Sequence, residues 1–151
     1  VKNYRIVQGD ATHPVGEGFK LIPHICNDIG AWGSGFVLAV SKKWSEPEQV
    51  YRNALPVYLG DVQYVLVEAE IVVVNMMAQR GIQGPPPLVD YGWLSLCLEN
   101  VRRHAWKHNA TVHMPKIGAG LGGGDWDVIK GIIQARLCVL GIDVTVYEYG
   151  G

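Results

Sequence analysis

KIGAGLGGGDW, Lys116 to Trp126, is the stretch whose reading decides the fold. Gly118, Gly120 and Gly123 fit G-x-G-x-x-G, the glycine pattern of dinucleotide-binding turns, and Asp143 follows about twenty residues later. In a dinucleotide-binding domain that turn comes first and several βα units follow it. Here only one helical pattern (Trp126, Ile129, Ile133, Leu137, stopped near Gly141) and one strand pattern (Asp143 to Tyr149) remain. Asp143 also opens the last strand, whereas an acid that reads a ribose must stand at a strand's carboxyl end. No G-K-[ST] follows the glycines, so a Walker A loop fails as well.

A second glycine loop, GAWGSG at Gly30 to Gly35, changes the reading. Both loops follow an apolar strand pattern and precede a helical one: Phe19 to Ile25 before the first, with Pro23 an awkward member, and Thr111 to Met114 before the second. In an open α/β sheet, loops at the carboxyl ends of strands border one crevice. Glycine lets backbone N–H groups approach an anion, and each following helix adds a positive N-terminal dipole. Two such loops face to face can grip a diphosphate without lysine.

Outward from these loops, Tyr4 to Val7, Gln63 to Val67 and Ile71 to Val74 read as strands, with Glu68-Ala69-Glu70 a turn between the last two. Phe36 to Trp44 and Glu46 to Asn53 read as short helices, Pro47 sitting well in a first turn. Leu94, Leu98, Val101 and Ala105 repeat at helical spacing after Pro85-Pro86-Pro87, with Asp90 near the start. Strands and helices interleave, so the expected fold is a three-layer α/β/α sandwich on a mixed sheet. No repeat, low-complexity tract or linker divides the 151 residues, and a single domain over 1–151 is expected.

With 48% hydrophobic and 18% charged residues, the composition is that of a globular chain. A net charge of −1 argues against a broad nucleic-acid footprint. The most basic stretch, Arg102, Arg103, His104, Lys107 and His108, reads as a solvated helix face. Cys26, Cys97 and Cys138 are widely spaced and lack metal-ligand spacing, so no metal is expected and the compartment is read as reducing. No signal peptide or membrane-length apolar run is present, although Val1 suggests a trimmed or engineered start; a cytoplasmic protein is expected.

Four segments, in order and across almost the whole chain, carry a family resemblance: Gly9-Asp10-Ala11-Thr12, His24-Ile25-Cys26-Asn27, Gly30 to Gly35, and Pro115 to Leu121 with Trp126. Together they resemble the macrodomain, the ADP-ribose-binding module. The pattern is most similar to the branch of terminal ADP-ribose protein glycohydrolases and ADP-ribose-1″-phosphate phosphatases. The resemblance implies that Asp10 accepts a hydrogen bond from the adenine amine while the Ala11 amide reads the ring. Read locally, Asp10 also suits an Asx turn. Asn27 matches the position that meets the distal ribose. Gly33, Ser34 and Gly35, with Gly118, Gly120, Leu121 and Gly122, match contacts to the phosphates and that ribose. Trp32 either shields the sugar or packs on a neighbouring helix.

For catalysis the pattern departs from the family. Glycohydrolases of this branch use a lysine after a central strand and an aspartate in the second loop. Here Asn75 to Arg80 holds no lysine, and the aspartate position is Gly122 or Gly123. Arginine cannot serve as the nucleophile because its guanidinium stays protonated. His24 matches a phosphatase histidine that acts as acid or base, or is a core histidine. Asp125 orients water or caps the helix that begins at Trp126. Asp28 is a third acid, next to Asn27.

The resulting expectation is a hydrolase, without cofactor or metal, that removes a protein ester, an acetyl group or a 1″-phosphate from the distal ribose of ADP-ribose. His24 and Asp125 are its candidate catalytic residues, and its partner is ADP-ribose or an ADP-ribosylated protein, with no membrane and a monomeric chain. The alternative is a non-catalytic reader of ADP-ribosylated proteins. An RNA-binding or structural module is a further alternative that the near-neutral charge disfavours.

Overall fold

The computed structural model describes residues 2–149; Val1 lies outside the described residues. Six strands form one sheet: β1 (Tyr4–Gln8), β2 (Lys20–Asn27), β3 (Val62–Glu68), β4 (Ile71–Gln79), β5 (Thr111–Pro115) and β6 (Val144–Glu148). Their order is β1-β6-β5-β2-β4-β3. Every neighbouring pair is parallel except the antiparallel β3–β4 hairpin, so the sheet is mixed as expected.

Side-chain alternation along β4 shows how the layers form. Val72, Val74 and Met76 enter one core, with Leu94, Leu98 and Val101 of α3 (Tyr91–His108) and Ile129 and Ile133 of α4 (Trp126–Ile133). Val73 and Met77 enter the opposite core, with Val40 of α1 (Phe36–Lys43) and Tyr51 of α2 (Glu46–Asn53). Burial on both faces is why central strands read as nearly continuous apolar runs. β6 lies between β1 and β5, so Val144 to Tyr147 are all buried and its sequence alternation does not mark a solvent face.

Pro23 is accommodated because of where its ladder ends. Lys20 N–H bonds Glu70 O on the β4 side, so by strand alternation the Pro23 nitrogen faces β5. The β2–β5 pairing consists of Lys20–Thr111 and Leu21–Val112 and is over before Pro23. Beyond that point β2 leads to α1 on one face and β5 to α4 on the other. This is a topological switch point, where a crevice opens outside the carboxyl ends of the strands.

Two expectations need correction. The helix beginning at Trp126 does not run unbroken towards Gly141: after Ile133 it widens into a π turn over Gln134–Cys138, with Val139 N–H bonded to Gln134 O at 2.9 Å. Asn3 Nδ2 donates to Cys138 O and Ile142 O, both at 2.8 Å, and satisfies carbonyls at that end. The basic stretch on α3 is also not simply a solvated face. Its His104 stacks on Tyr64 at 3.8 Å and lies 4.4 Å from His108, which stacks on Phe19 at 5.5 Å.

Candidate functional site

The first loop is organised by Asn27, the last residue of β2. Its Oδ1 accepts from Ile29 N (3.1 Å), Ala31 N (3.0 Å) and the Tyr51 hydroxyl (2.9 Å), and its Nδ2 donates to Ala31 O (2.8 Å). The acceptor is committed inside the loop, and one N–H of the amide is left for a ligand. Behind the loop Trp32 is 4% exposed, donates from Nε1 to Ser41 Oγ (2.7 Å) and packs on Tyr51. Trp32 therefore packs the loop onto α1 and α2 and does not line the crevice.

The second loop is pinned by its own carbonyls. Gly118 O accepts from Gly124 N (2.8 Å), Gly120 O from Gly123 N (3.0 Å) and Gly122 O from Leu88 N (2.8 Å). Gly118 has φ +73°, and a Cβ there would lie 3.0 Å from Ile129, 3.1 Å from Ile25 and 3.3 Å from Val89. The two loops meet across the crevice, a Cβ on Gly35 falling 3.7 Å from Leu121 Cδ1. Among the described residues, the N–H groups of Gly33, Ser34, Gly35, Gly120, Leu121 and Gly122 have no protein acceptor. Six free amide donors on facing loops make a site for an extended anion.

Between the loops lies a cavity of about 540 Å³, which takes in Asn27, Gly33, Ser34 and Gly35 from one side and Gly118, Gly120, Leu121 and Gly122 from the other. A second cavity of about 350 Å³ contains Asp10 and Ala11 beside Tyr147 and Tyr149, and shares Gly35, Phe36 and Pro115 with the first. The two together form one elongated groove. Asp10 fulfils the Asx-turn role as well, its Oδ1 accepting from Thr12 N and Oγ1 at 2.8 Å. Burial would raise the Asp10 pKa, but these bonds and the nearby His13 hold the carboxyl below its ordinary value.

His24 is 2% exposed and is among the residues that line the larger cavity. Its Nε2 is 2.6 Å from Asn75 Oδ1, and its Nδ1 is buried without a partner. Burial lowers its pKa to about 4, only partly offset by the Asn75 bond, so the ring is neutral at pH 7. Asp125 stands elsewhere. It caps α4, Oδ1 accepting from Asp127 N at 2.9 Å, and lines neither cavity, which removes the geometric basis for its handling water. Asp28 is likewise engaged, accepting from Gly81 N at 2.8 Å. We expect Asp125→Ala to cost about 1 kcal/mol of stability through the lost cap. ADP-ribose affinity should stay within about twofold; calorimetric titration beside a urea melt separates the two effects.

The structure adds wall residues that the sequence reading did not single out: Phe36, Gln79, Ile82 and Lys116. Lys116 could have been suspected from its place beside Gly118; its ammonium is 3.7 Å from Glu148 and lies over the Trp126 ring at 5.6 Å. Gln79 and Ile82 carry no local signal, because only the sheet order brings the end of β4 to the crevice. Among the described residues no group of three or more His, Cys, Asp or Glu could hold a metal, and no helix is long and apolar enough to cross a membrane.

No family model matches the chain. A Bacteroides thetaiotaomicron protein of unknown function has 46% identity and a TM-score of 0.92, covering 95% of this chain and 96% of that one. The Thermosipho africanus DarTG structure in complex with ADP-ribose shares the fold at 17% identity and a TM-score of 0.71, over 85% of this chain and 38% of that one. The mouse chromodomain-helicase-DNA-binding protein 1-like is 27% identical over 95% of this chain, which spans only 17% of that protein. The macrodomain protein of Streptomyces coelicolor is 43% identical, with a TM-score of 0.86 and coverage of 97% of this chain and 99% of that one. That identity over nearly the full length of both chains, on a shared fold, shows that the chain belongs to the macrodomain family.

Proposed function

We propose that the groove binds ADP-ribose, free or as the ADP-ribosyl group of a modified protein, and that the chain hydrolyses a substituent from the distal ribose. The observation that carries binding is the set of six unpaired amide donors on two facing loops, which suits a diphosphate. The smaller, aromatic-walled cavity with Asp10 suits adenine, and the larger one suits the distal ribose and its substituent. The ADP-ribose in the Thermosipho africanus relative supports the same ligand here. The four sequence segments favour the glycohydrolase and phosphatase branch of the family. On this reading the chain is a single macrodomain acting as a monomer in the cytoplasm. Among the described residues, His24 is the one histidine lining the larger cavity and the candidate to take a proton or a hydrogen bond.

A reader without turnover is the second reading, and one observation favours it. Among the described residues no carboxylate side chain lines the larger cavity, since Asp125 caps a helix and Asp28 holds Gly81. The deciding experiment incubates the protein with an ADP-ribosyl-glutamate protein, O-acetyl-ADP-ribose and ADP-ribose-1″-phosphate, and follows free ADP-ribose. Catalytic release from one establishes the hydrolase and its leaving group. Binding of ADP-ribose with no release from any substrate makes the chain a reader.

A further inference from the structure

A buried hydrogen-bond chain beside the larger cavity fixes the tautomer of His24. Asn75 is fully buried on β4, in register with His24 on β2. Its Nδ2 lies 3.1 Å from Pro47 O and 3.0 Å from Gln63 Oε1. The Pro47 carbonyl can only accept, so the Asn75 NH₂ must point there and its Oδ1 must point at His24. An amide oxygen only accepts, so the His24 nitrogen 2.6 Å away, Nε2, carries the proton. Nδ1 is then a bare lone pair, buried and without a partner, on a residue that lines the cavity. An acceptor left so is costly, which is a reason for a ligand donor to meet it. Around the imidazole, the Trp32 and Phe36 rings lie edge-on with centroids at 5.4 and 5.7 Å, and Cys26 Sγ is 4.0 Å from Nε2.

We propose that His24, held in the Nε2–H tautomer by Asn75, is a specificity-determining residue that accepts a hydrogen bond from a ligand hydroxyl and turns away an oxyanion. The inference rests on the ADP-ribose reading and narrows it. A sugar hydroxyl brings the hydrogen that Nδ1 lacks. A phosphate monoester, mostly dianionic at neutral pH, would set oxygen lone pairs against a nitrogen lone pair in a site that gives no water in return. The cavity at His24 thus favours a distal ribose with a free hydroxyl over one carrying a 1″-phosphate, while the glycine amides hold the diphosphate.

The test measures affinities for ADP-ribose and ADP-ribose-1″-phosphate at pH 7.5 by calorimetry, for the wild type, His24→Leu and His24→Gln. Glutamine can donate to Asn75 Oδ1 and still offer an oxygen. We expect the wild type to prefer ADP-ribose by about tenfold or more, His24→Leu to lose that preference, and His24→Gln to recover it. Long-range ¹H–¹⁵N spectra of the wild type should show the Nε2–H tautomer and an Nδ1 signal that shifts on adding ADP-ribose. This measurement needs no variant to fold. The opposite tautomer, equal binding of the two ligands, or a preference that survives His24→Leu would overturn the assignment. If neither ligand binds, the ADP-ribose reading itself falls, whereas ADP-ribose binding without discrimination removes only the role given to His24.

Discussion

Lowering the pH from 7 to 4 is expected to remove a large part of the folding stability, because two histidines are buried in their neutral form. Burial lowers the pKa of His24 to about 4, and burial with the nearby Lys20 and Arg5 charges lowers that of His113 to about 4. His113 is also held between Thr111 Oγ1 and the Tyr147 hydroxyl, each at 2.7 Å. In the unfolded chain both rings protonate near pH 6.5. The folded state therefore keeps its full advantage above pH 6.5 and loses it progressively between 6.5 and about 4. Each ring contributes about 3 kcal/mol of that loss, against a total stability of roughly 5–15 kcal/mol for a typical domain. His104, lowered by burial and by its His108 and Lys107 neighbours, pulls the same way. Asp10 and Asp90 do not account for this window. Their lowered pKa values give stability that is lost only below the ordinary carboxylate range. Urea melts from pH 7 to 4 should show a midpoint falling steeply below pH 6, with a shallower fall in His113→Gln. A midpoint unchanged down to pH 4.5 would refute the assignment.

Gly118→Ala should damage both stability and binding. The φ of +73° penalises any side chain, and the added methyl meets Ile129, Ile25 and Val89 at 3.0 to 3.3 Å. The left-handed backbone costs about 1–2 kcal/mol and overpacking about 1–3 kcal/mol more. Relief requires the loop to move, and with it the amides of Gly120, Leu121 and Gly122, so ADP-ribose affinity should drop at least about tenfold. Gly131→Ala provides the contrast. It lies in α4, has nothing within 4 Å of its Cβ position, and should gain up to about 1 kcal/mol with binding intact. Paired melts and titrations check both. A Gly118→Ala protein that binds as the wild type does would show that the second loop is not part of the grip.

The comparison of the two variants shows which features a sequence displays and which it conceals. Both glycines are plain in the sequence, yet only packing distinguishes one wedged between three side chains from one open to solvent. The same holds for the acids. Asp125 beside the second glycine loop looks equally suited to water activation and to helix capping, and the distance from Oδ1 to Asp127 N decides for the cap. Trp32 sits within a binding loop by sequence and inside the second core by structure.

By itself the sequence determined the layered α/β fold, nearly every element and the two loops that form the crevice. These depend on local chemistry: apolar periodicity, capping residues, and glycines where backbone must approach an anion. Only the tertiary structure decided which groups reach the groove and in what state. Gln79 and Ile82 arrive there through the order of strands, and Asp28 and Asp125 are drawn off by backbone partners. Asn75, a polar residue in an apolar strand, sets the proton on His24 from 51 residues away. A hydrogen bond between neighbouring parallel strands has no local signature, because its partners meet only after the sheet has chosen its order and register.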